Sequence, residues 1–312
     1  MTSLRLREQD LADKVAVITG ASRGIGRAIA MNLASRGCSI LGTCSSTNSL
    51  ALIDSIDHEI AALFKDANHN RSSKIIGVSA NIFSPTCAQT IADALFQHFS
   101  GRVNIFINNA ADPRPGVIGE LTIEEIQQSI IGNIQTPVLI IDELVKRRIF
   151  QLESRIVYIS SIRSRQPWSM QLMYSAGKSA GESLCRTWAE AFGGKEDRVS
   201  DRLCLFPPAA KLLSSYFRLC HCSQIADGFQ FSFMAGTTAN AVTVGLTQTE
   251  SVMKVPPETL ETFKREFIPL QCLPRFGQPE DVADVVSLLC SRDARWITGC
   301  VISASGGGIK IG

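Results

Sequence analysis

Charge of one sign is what this sequence of 312 residues most plainly lacks. Lys and Arg number 31 against 29 Asp and Glu, a net charge of +2. The basic excess that marks a nucleic-acid-binding face is therefore missing, and no nucleic-acid partner is expected. Long apolar runs are missing too. None reaches the roughly 18 residues that a membrane span needs, so no membrane partner is expected. The most apolar irregular stretch, 203–217, is broken by two prolines and a lysine. The opening residues, MTSLRLREQD, hold no apolar core, so no secretory leader is expected. Repeats and low-complexity linkers are absent as well. Cysteine is not scarce, at 10 residues, but the spacing suggests no disulfide framework and reduced thiols are expected. Hydrophobic residues make up 45% and charged ones 19%, which excludes wholesale disorder. The expectation is a cytoplasmic α/β protein organised as a single domain over 1–312.

Short runs rich in Val and Ile alternate with longer amphipathic stretches. The runs are 15–19, 39–43, 74–79, 103–108, 155–160, 239–244 and 301–303. Each is almost continuously apolar, as in strands buried on both faces of a parallel sheet. Helix-length segments lie between them, at 24–36, 50–66, 85–99, 123–148, 174–192, 257–267 and 279–291. The alternation predicts a doubly wound parallel sheet of about seven strands with helices on both faces. Ligands of such sheets bind beyond the carboxyl ends of the strands. The alternation stops between 194 and 236, where a mixed stretch follows no period and holds three cysteines. A loop that long inside a domain is unusual.

After the first run comes Thr19-Gly20-Ala21-Ser22-Arg23-Gly24-Ile25-Gly26, and then an amphipathic helix. Gly20 allows a tight strand-to-helix turn, Gly24 a close approach of backbone to a pyrophosphate, and Gly26 close packing of helix on strand. The phosphates would meet free N–H groups and the positive end of the helix dipole. The spacing G-x-x-x-G-x-G resembles that of the short-chain dehydrogenase/reductase family, whose fold is Rossmann-like. The resemblance implies that Gly20, Ser22, Arg23, Gly24, Ile25 and Gly26 hold a dinucleotide. The second run ends Cys44-Ser45-Ser46, with no acid to hold a ribose 2′-hydroxyl and repel a 2′-phosphate. Arg23, helped by Ser45 or Ser46, is placed to pair with that phosphate. The cofactor implied is NADP.

Further resemblances follow in order. Asn81 stands where the family usually has an Asp against the adenine. Asn108-Asn109-Ala110-Ala111 resembles Asn-Asn-Ala-Gly, which implies that Asn108 lines the cofactor and Asn109 is structural. Thr247 and Thr249 fall where the family contacts the nicotinamide and its carboxamide, after Val244-Gly245 in place of the usual Pro-Gly. Stretches 275–283 and 296–299 resemble the final helix and strand. The likeness runs from about Leu11 to Gly308, interrupted by 194–236.

Of 3 tyrosines, only Tyr174 is followed four residues later by a lysine, Lys178. On a helix the two share a face. With Ser161 upstream and Asn133 before it, they match the family's catalytic tetrad residue by residue. Reducing a carbonyl takes a hydride and a proton. A tyrosine titrating at about 10 is a poor proton donor near neutrality, and a cation about 4 Å away at an effective dielectric near 20 supplies the roughly 4 kcal/mol that would bring it to about 7. Lys178 is expected to stay cationic for this purpose. Ser161 would hydrogen-bond the substrate oxygen. Asn133, by the resemblance, would position a proton-relaying water.

The expected function is NADP-dependent reduction of a ketone, or oxidation of a secondary alcohol. Residues 162–173 and 250–268 would line the substrate, the latter as a lid. Met170, Leu172, Met173, Trp168 and Met253 suggest an apolar, secondary-metabolite-like substrate, or else core or interface. Two alternatives stay open: a dinucleotide-binding protein disabled by the 194–236 insertion, and an NAD-linked alcohol dehydrogenase. The family implies a homodimer or homotetramer. Cys220-His221-Cys222 lacks a fourth ligand at metal-site spacing, and no metal is expected. The insertion would be an acquired surface segment or translated intron.

Overall fold

Seven parallel strands form one sheet in the order β3-β2-β1-β4-β5-β6-β7. The structure is a computed structural model, and it describes residues 5–166, 168–194 and 232–310. The strands are β1 Val15–Ile18, β2 Ser39–Cys44, β3 Ile75–Ser79, β4 Val103–Asn108, β5 Phe150–Ser161, β6 Thr238–Val244 and β7 Val301–Ala304. β1, buried at every residue, sits at the centre between β2 and β4. The strand order reverses there, and the crevice at such a reversal is where ligands bind.

Helices cover both faces. α1 (Gly24–Ser35), α2 (Leu50–Asp66) and α9 (Pro279–Cys290) pack on one side around Ile29, Ile53, Val286 and Leu289. On the other side, α3 (Cys87–Phe99), α5 (Thr136–Lys146) and α6 (Leu172–Phe192) enclose Ile91, Leu95, Ile140, Leu144 and Trp188. The near-continuous apolar runs are thus strands sandwiched by two cores. α4 (Ile123–Ile130) starts at a capping box in which Thr122 and Glu125 satisfy each other's backbone N–H groups. Two short helices, α7 (Glu250–Met253) and α8 (Pro257–Thr262), lie after β6.

Three elements differ from expectation. The helix expected at 123–148 carries a wide π turn at Ile131–Gln135 between α4 and α5. The one expected at 257–267 likewise ends in a π turn, Phe263–Phe267. β5 begins at Phe150, because Val103 pairs with Phe150 before a register shift brings Ile105 opposite Arg155. Glu153, inside the extra stretch, takes a left-handed φ of 54°. The mixed stretch 194–236 lies largely outside the described residues, and with it Cys220-His221-Cys222. Its flanks are described and touch. A Cβ built on Gly194 would stand 3.3 Å from that of Ala235, beside the amino end of β6. Seven described cysteines are free. Among the described residues no helix is long and apolar enough to cross a membrane, and no group of acids, histidines and cysteines could hold a metal.

Candidate active site

The carboxyl ends of the strands open into a cleft of about 920 Å³. Its floor is the glycine turn. Thr19 Oγ1 accepts the backbone N–H groups of Asn109 (2.9 Å) and Ala110 (3.0 Å). Asn109 Nδ2 donates back to the carbonyls of Thr19 (2.9 Å) and Gly20 (3.1 Å). The ends of β1 and β4 are so braced together. Gly26 is required by this packing: a Cβ there would lie 2.1 Å from the Gly20 carbonyl oxygen. Gly20 and Gly24 take φ of 68° and 56°, a region unfavourable to other residues. Arg23, at the N-cap of α1, is extended and caps with no side-chain bond. The first N–H groups of α1 therefore face the cleft unclaimed by a cap.

Gly20, Ser22, Arg23, Gly24, Ile25, Ser45, Asn81, Ser161, Tyr174, Lys178, Thr247 and Thr249 all wall this one cleft. Thr249 caps α7 by accepting the Val252 N–H, and its methyl lies 3.4 Å from where a Gly24 Cβ would be. The loop after β6 thus closes against the glycine turn. Asn81 Oδ1 accepts the Phe83 N–H at 3.0 Å, which fixes the carboxamide in a turn.

Three of the expected residues do not line the cleft: Gly26, which packs beneath the turn, Asn108 and Asn133. Asn108 ends β4, buried and paired in register with Tyr158. Successive strand residues point to opposite faces, and it is Asn109 and Ala110 that reach the cleft wall. Asn133 sits in the π turn, 1% exposed. Its Oδ1 accepts the Asp112 N–H (2.8 Å), and its Nδ2 donates to the Asp112 carbonyl (3.0 Å) and to Ser129 Oγ (3.1 Å). Its carboxamide ties the loop after β4 to the helix. Its own carbonyl accepts the Tyr158 hydroxyl at 3.2 Å.

Ser161 ends β5, and Tyr174 and Lys178 lie in the first turns of α6. Ser161 Oγ accepts the Arg163 N–H at 3.2 Å, leaving the hydroxyl hydrogen to point elsewhere. Burial pushes the Tyr174 phenol upward, against a hydrogen bond with Ser161 and the charge of Arg163. Lys178 is fully buried and donates to the Ile159 carbonyl at 2.6 Å. No described carboxylate pairs with it, and burial pushes its ammonium down to about 7. The protein alone therefore does not hold Lys178 firmly cationic. Taking an ammonium out of water costs more than the surface-like dielectric of the sequence argument allows. Arg163 and Lys178 both lie near the phenol, the Lys178 Nζ 5.5 Å from the Tyr174 ring centre.

Sequence reasoning missed three supports. Glu182, one turn beyond Lys178, accepts Ser160 Oγ (2.7 Å), Ser164 Oγ (2.6 Å) and Arg165 Nη2 (2.8 Å). It holds the strand end that carries Ser161. Tyr158 packs its ring 5.0 Å from Lys178 Nζ. It fits because residue 181 is glycine: a Cβ there would lie 2.1 Å from the ring. The signal was available, as a lone tyrosine inside an aliphatic strand and a glycine inside a helix. Arg163 is the third, stacked among aromatic side chains on the cleft wall.

Comparison with known proteins agrees with this geometry. The short chain dehydrogenase family profile matches residues 14–201, and a second, described as enoyl-(acyl carrier protein) reductase, matches 232–308. The short-chain dehydrogenase/reductase FrzI of a Cladobotryum species is 27% identical over 96% of this chain and 98% of its own. The L-xylulose reductase of Aspergillus niger is 29% identical over 96% and 98%. Among solved structures, the angucycline C-6 ketoreductase LanV, with bound NADP, superposes with a TM-score of 0.72 at 25% identity, covering 97% of this chain and 98% of that one. By its profile match, its sheet and its glycine turn, the chain belongs to the short-chain dehydrogenase/reductase family.

Proposed function

We propose that this chain is an NADP-dependent carbonyl reductase, with Ser161, Tyr174 and Lys178 at the reacting carbonyl. One observation carries the reading: these three side chains wall the same cleft as the glycine turn. The cofactor fits the residues present. The turn has the glycine cradle and free N–H groups that a pyrophosphate takes. At the end of β2, Ser45 is exposed and no carboxylate stands among Cys44, Ser45 and Ser46. Burial pushes the Cys44 thiol up, and the nearby charge of Arg23 opposes that shift. A cation and hydroxyls without an acid suit a 2′-phosphate. LanV holds NADP in its crystal.

NADPH, when bound, supplies a hydride to the carbonyl carbon. Tyr174 gives its phenolic proton to the carbonyl oxygen, so the products are an alcohol and NADP. Burial keeps the phenol protonated and ready to donate. Ser161 donates a hydrogen bond to the oxygen as charge develops there. Lys178 steadies the tyrosinate and takes the ribose hydroxyls, partners that favour its charged form. Asn133 positions this machinery through Asp112 and Tyr158. The whole chain acts as one domain in this reading, in the cytoplasm and as a homodimer or homotetramer. An apolar, secondary-metabolite-like ketone fits the wall of Trp168, Phe263, Phe267 and Leu270.

The test is loss of nicotinamide absorbance with a ketone panel. Tyr174→Phe should cut turnover by at least about 100-fold, the usual weight of a general acid. Full activity in that variant would sink the mechanism. NADPH binding without turnover of any ketone would sink the enzyme reading in favour of a binding protein.

A further inference from the structure

Arg163 is out of place for an apolar pocket. It sits two residues after Ser161, on the cleft wall. Its guanidinium carbon lies 4.9 Å from the Trp168 ring centre and 4.6 Å from that of Phe267. Phe263 completes a triangle of edge-to-face rings, with centroids 5.9–6.2 Å apart. These faces attract the cation but accept no strong hydrogen bond. Arg163 Nη1 is buried and has no hydrogen-bond partner among the described residues, and no described carboxylate forms an ion pair with the side chain. The wall's other described charged residues are Arg23, Lys178 and Glu250. Its sole described carboxylate is Glu250, next to Thr249 on the cofactor side. A buried guanidinium donor without an acceptor is unfavourable by the full desolvation of that group. A planar fork beside the reacting carbonyl is the geometry that carboxylates match.

We propose that Arg163 selects substrates bearing a carboxylate close to the carbonyl being reduced, with flat apolar surface between the aromatic rings. The inference rests on the carbonyl-reductase reading and narrows it from apolar ketones to aromatic keto acids. It also gives the stacking a purpose. Trp168 and Phe267 hold the fork in one orientation, so little freedom is lost when the anion arrives.

The test uses purified full-length enzyme with NADPH and matched pairs: benzoylformate, 3-acetylbenzoate and 4-acetylbenzoate, each against its methyl ester. The reading is the acid-to-ester ratio of kcat/KM within each protein, so a change in Tyr174 common to both substrates cancels. The parent should favour the acid by about 10- to 100-fold for at least one pair, the weight of a charge-assisted bond. Arg163→Met should bring that ratio to 1 or below, and Arg163→Lys, which keeps charge without the fork, should fall between. Equal turnover of acid and ester, or a ratio unchanged in Arg163→Met, would overturn the proposal and leave Arg163 as a stacking residue. Turnover of the neutral ketones alone would overturn it too. If no ketone of any kind is reduced, the enzyme reading fails instead. Calorimetric binding of 4-acetylbenzoate to the NADPH complex then still decides the role of Arg163: binding weakened at least about 10-fold in Arg163→Met supports it, and equal or absent binding refutes it.

Discussion

Replacing Lys178 with methionine should make this protein more stable and inactive at once. The reason is the burial of an ammonium that no described acid pairs. Its ordinary value of 10.5 falls to about 7 in the fold. At about 1.36 kcal/mol per pH unit, that difference amounts to about 5 kcal/mol. Between the two values the unfolded chain holds a proton that the native chain does not. Stability therefore rises with pH across that window. The penalty is full below pH 7 and gone above 10.5. Methionine, of similar length, removes it. The substitution also leaves the Ile159 carbonyl without the donor now 2.6 Å away, a loss of roughly 1–3 kcal/mol. The variant should thus be about 2–4 kcal/mol more stable than the parent at pH 6.5. By pH 10 the advantage should vanish or reverse. Urea unfolding of both proteins without cofactor, under reducing conditions at several pH values, measures the difference, and the cysteines and other tyrosines cancel in it. A variant less stable at every pH, or a difference that does not move with pH, would refute the reasoning.

Three other outcomes follow from the same structure. Arg23→Ala should lower the NADPH-to-NADH ratio of kcat/KM by about 10- to 100-fold; an unchanged ratio would place the 2′-phosphate elsewhere. Gly181→Ala drives a methyl into the Tyr158 ring and should destabilise by about 1–3 kcal/mol or more. In a Tyr158→Val background the same change should be near neutral, and equal costs in both backgrounds would show that the ring yields. Joining Gly194 directly to Ser232 deletes 195–231 beside the contact between Gly194 and Ala235, at the amino end of β6 and opposite the cleft. Turnover within about threefold of the parent is expected, since surface insertions bear weakly on a fold, and an insoluble or inactive product would show that the segment completes it.

The sheet was legible because its strands are buried on both faces, and VAVI or VNIFIN leaves little else to read. That Ser161, Tyr174 and Lys178 would share one cleft was legible from a strand end followed by a helix with residues four apart on one face. The π turn around Asn133 was not, since 123–148 has an unbroken helical pattern and one extra residue in a turn leaves no period to detect. Which of Asn108 and Asn109 lines the cleft depends on where β4 ends, and an apolar run followed by two asparagines does not mark that point. The charge state of Lys178 depends on how dry its surroundings are, and these include the rings of Tyr158 and Tyr174. Arg163 looked like one polar residue in a loop until Phe263 and Phe267, a hundred residues on, were brought beside it.

The brace between Thr19 and Asn109 bears on the rhythm of the catalytic cycle. All four of its hydrogen bonds run from protein to protein, so the turn holds its shape with no ligand to organise it. A loop that must order itself around each incoming molecule loses roughly 0.5–1.5 kcal/mol per immobilised side chain. Here that ordering is built into folding and is not repeated. Exchange of oxidised for reduced cofactor then becomes a matter of contacts made and broken on a rigid seat.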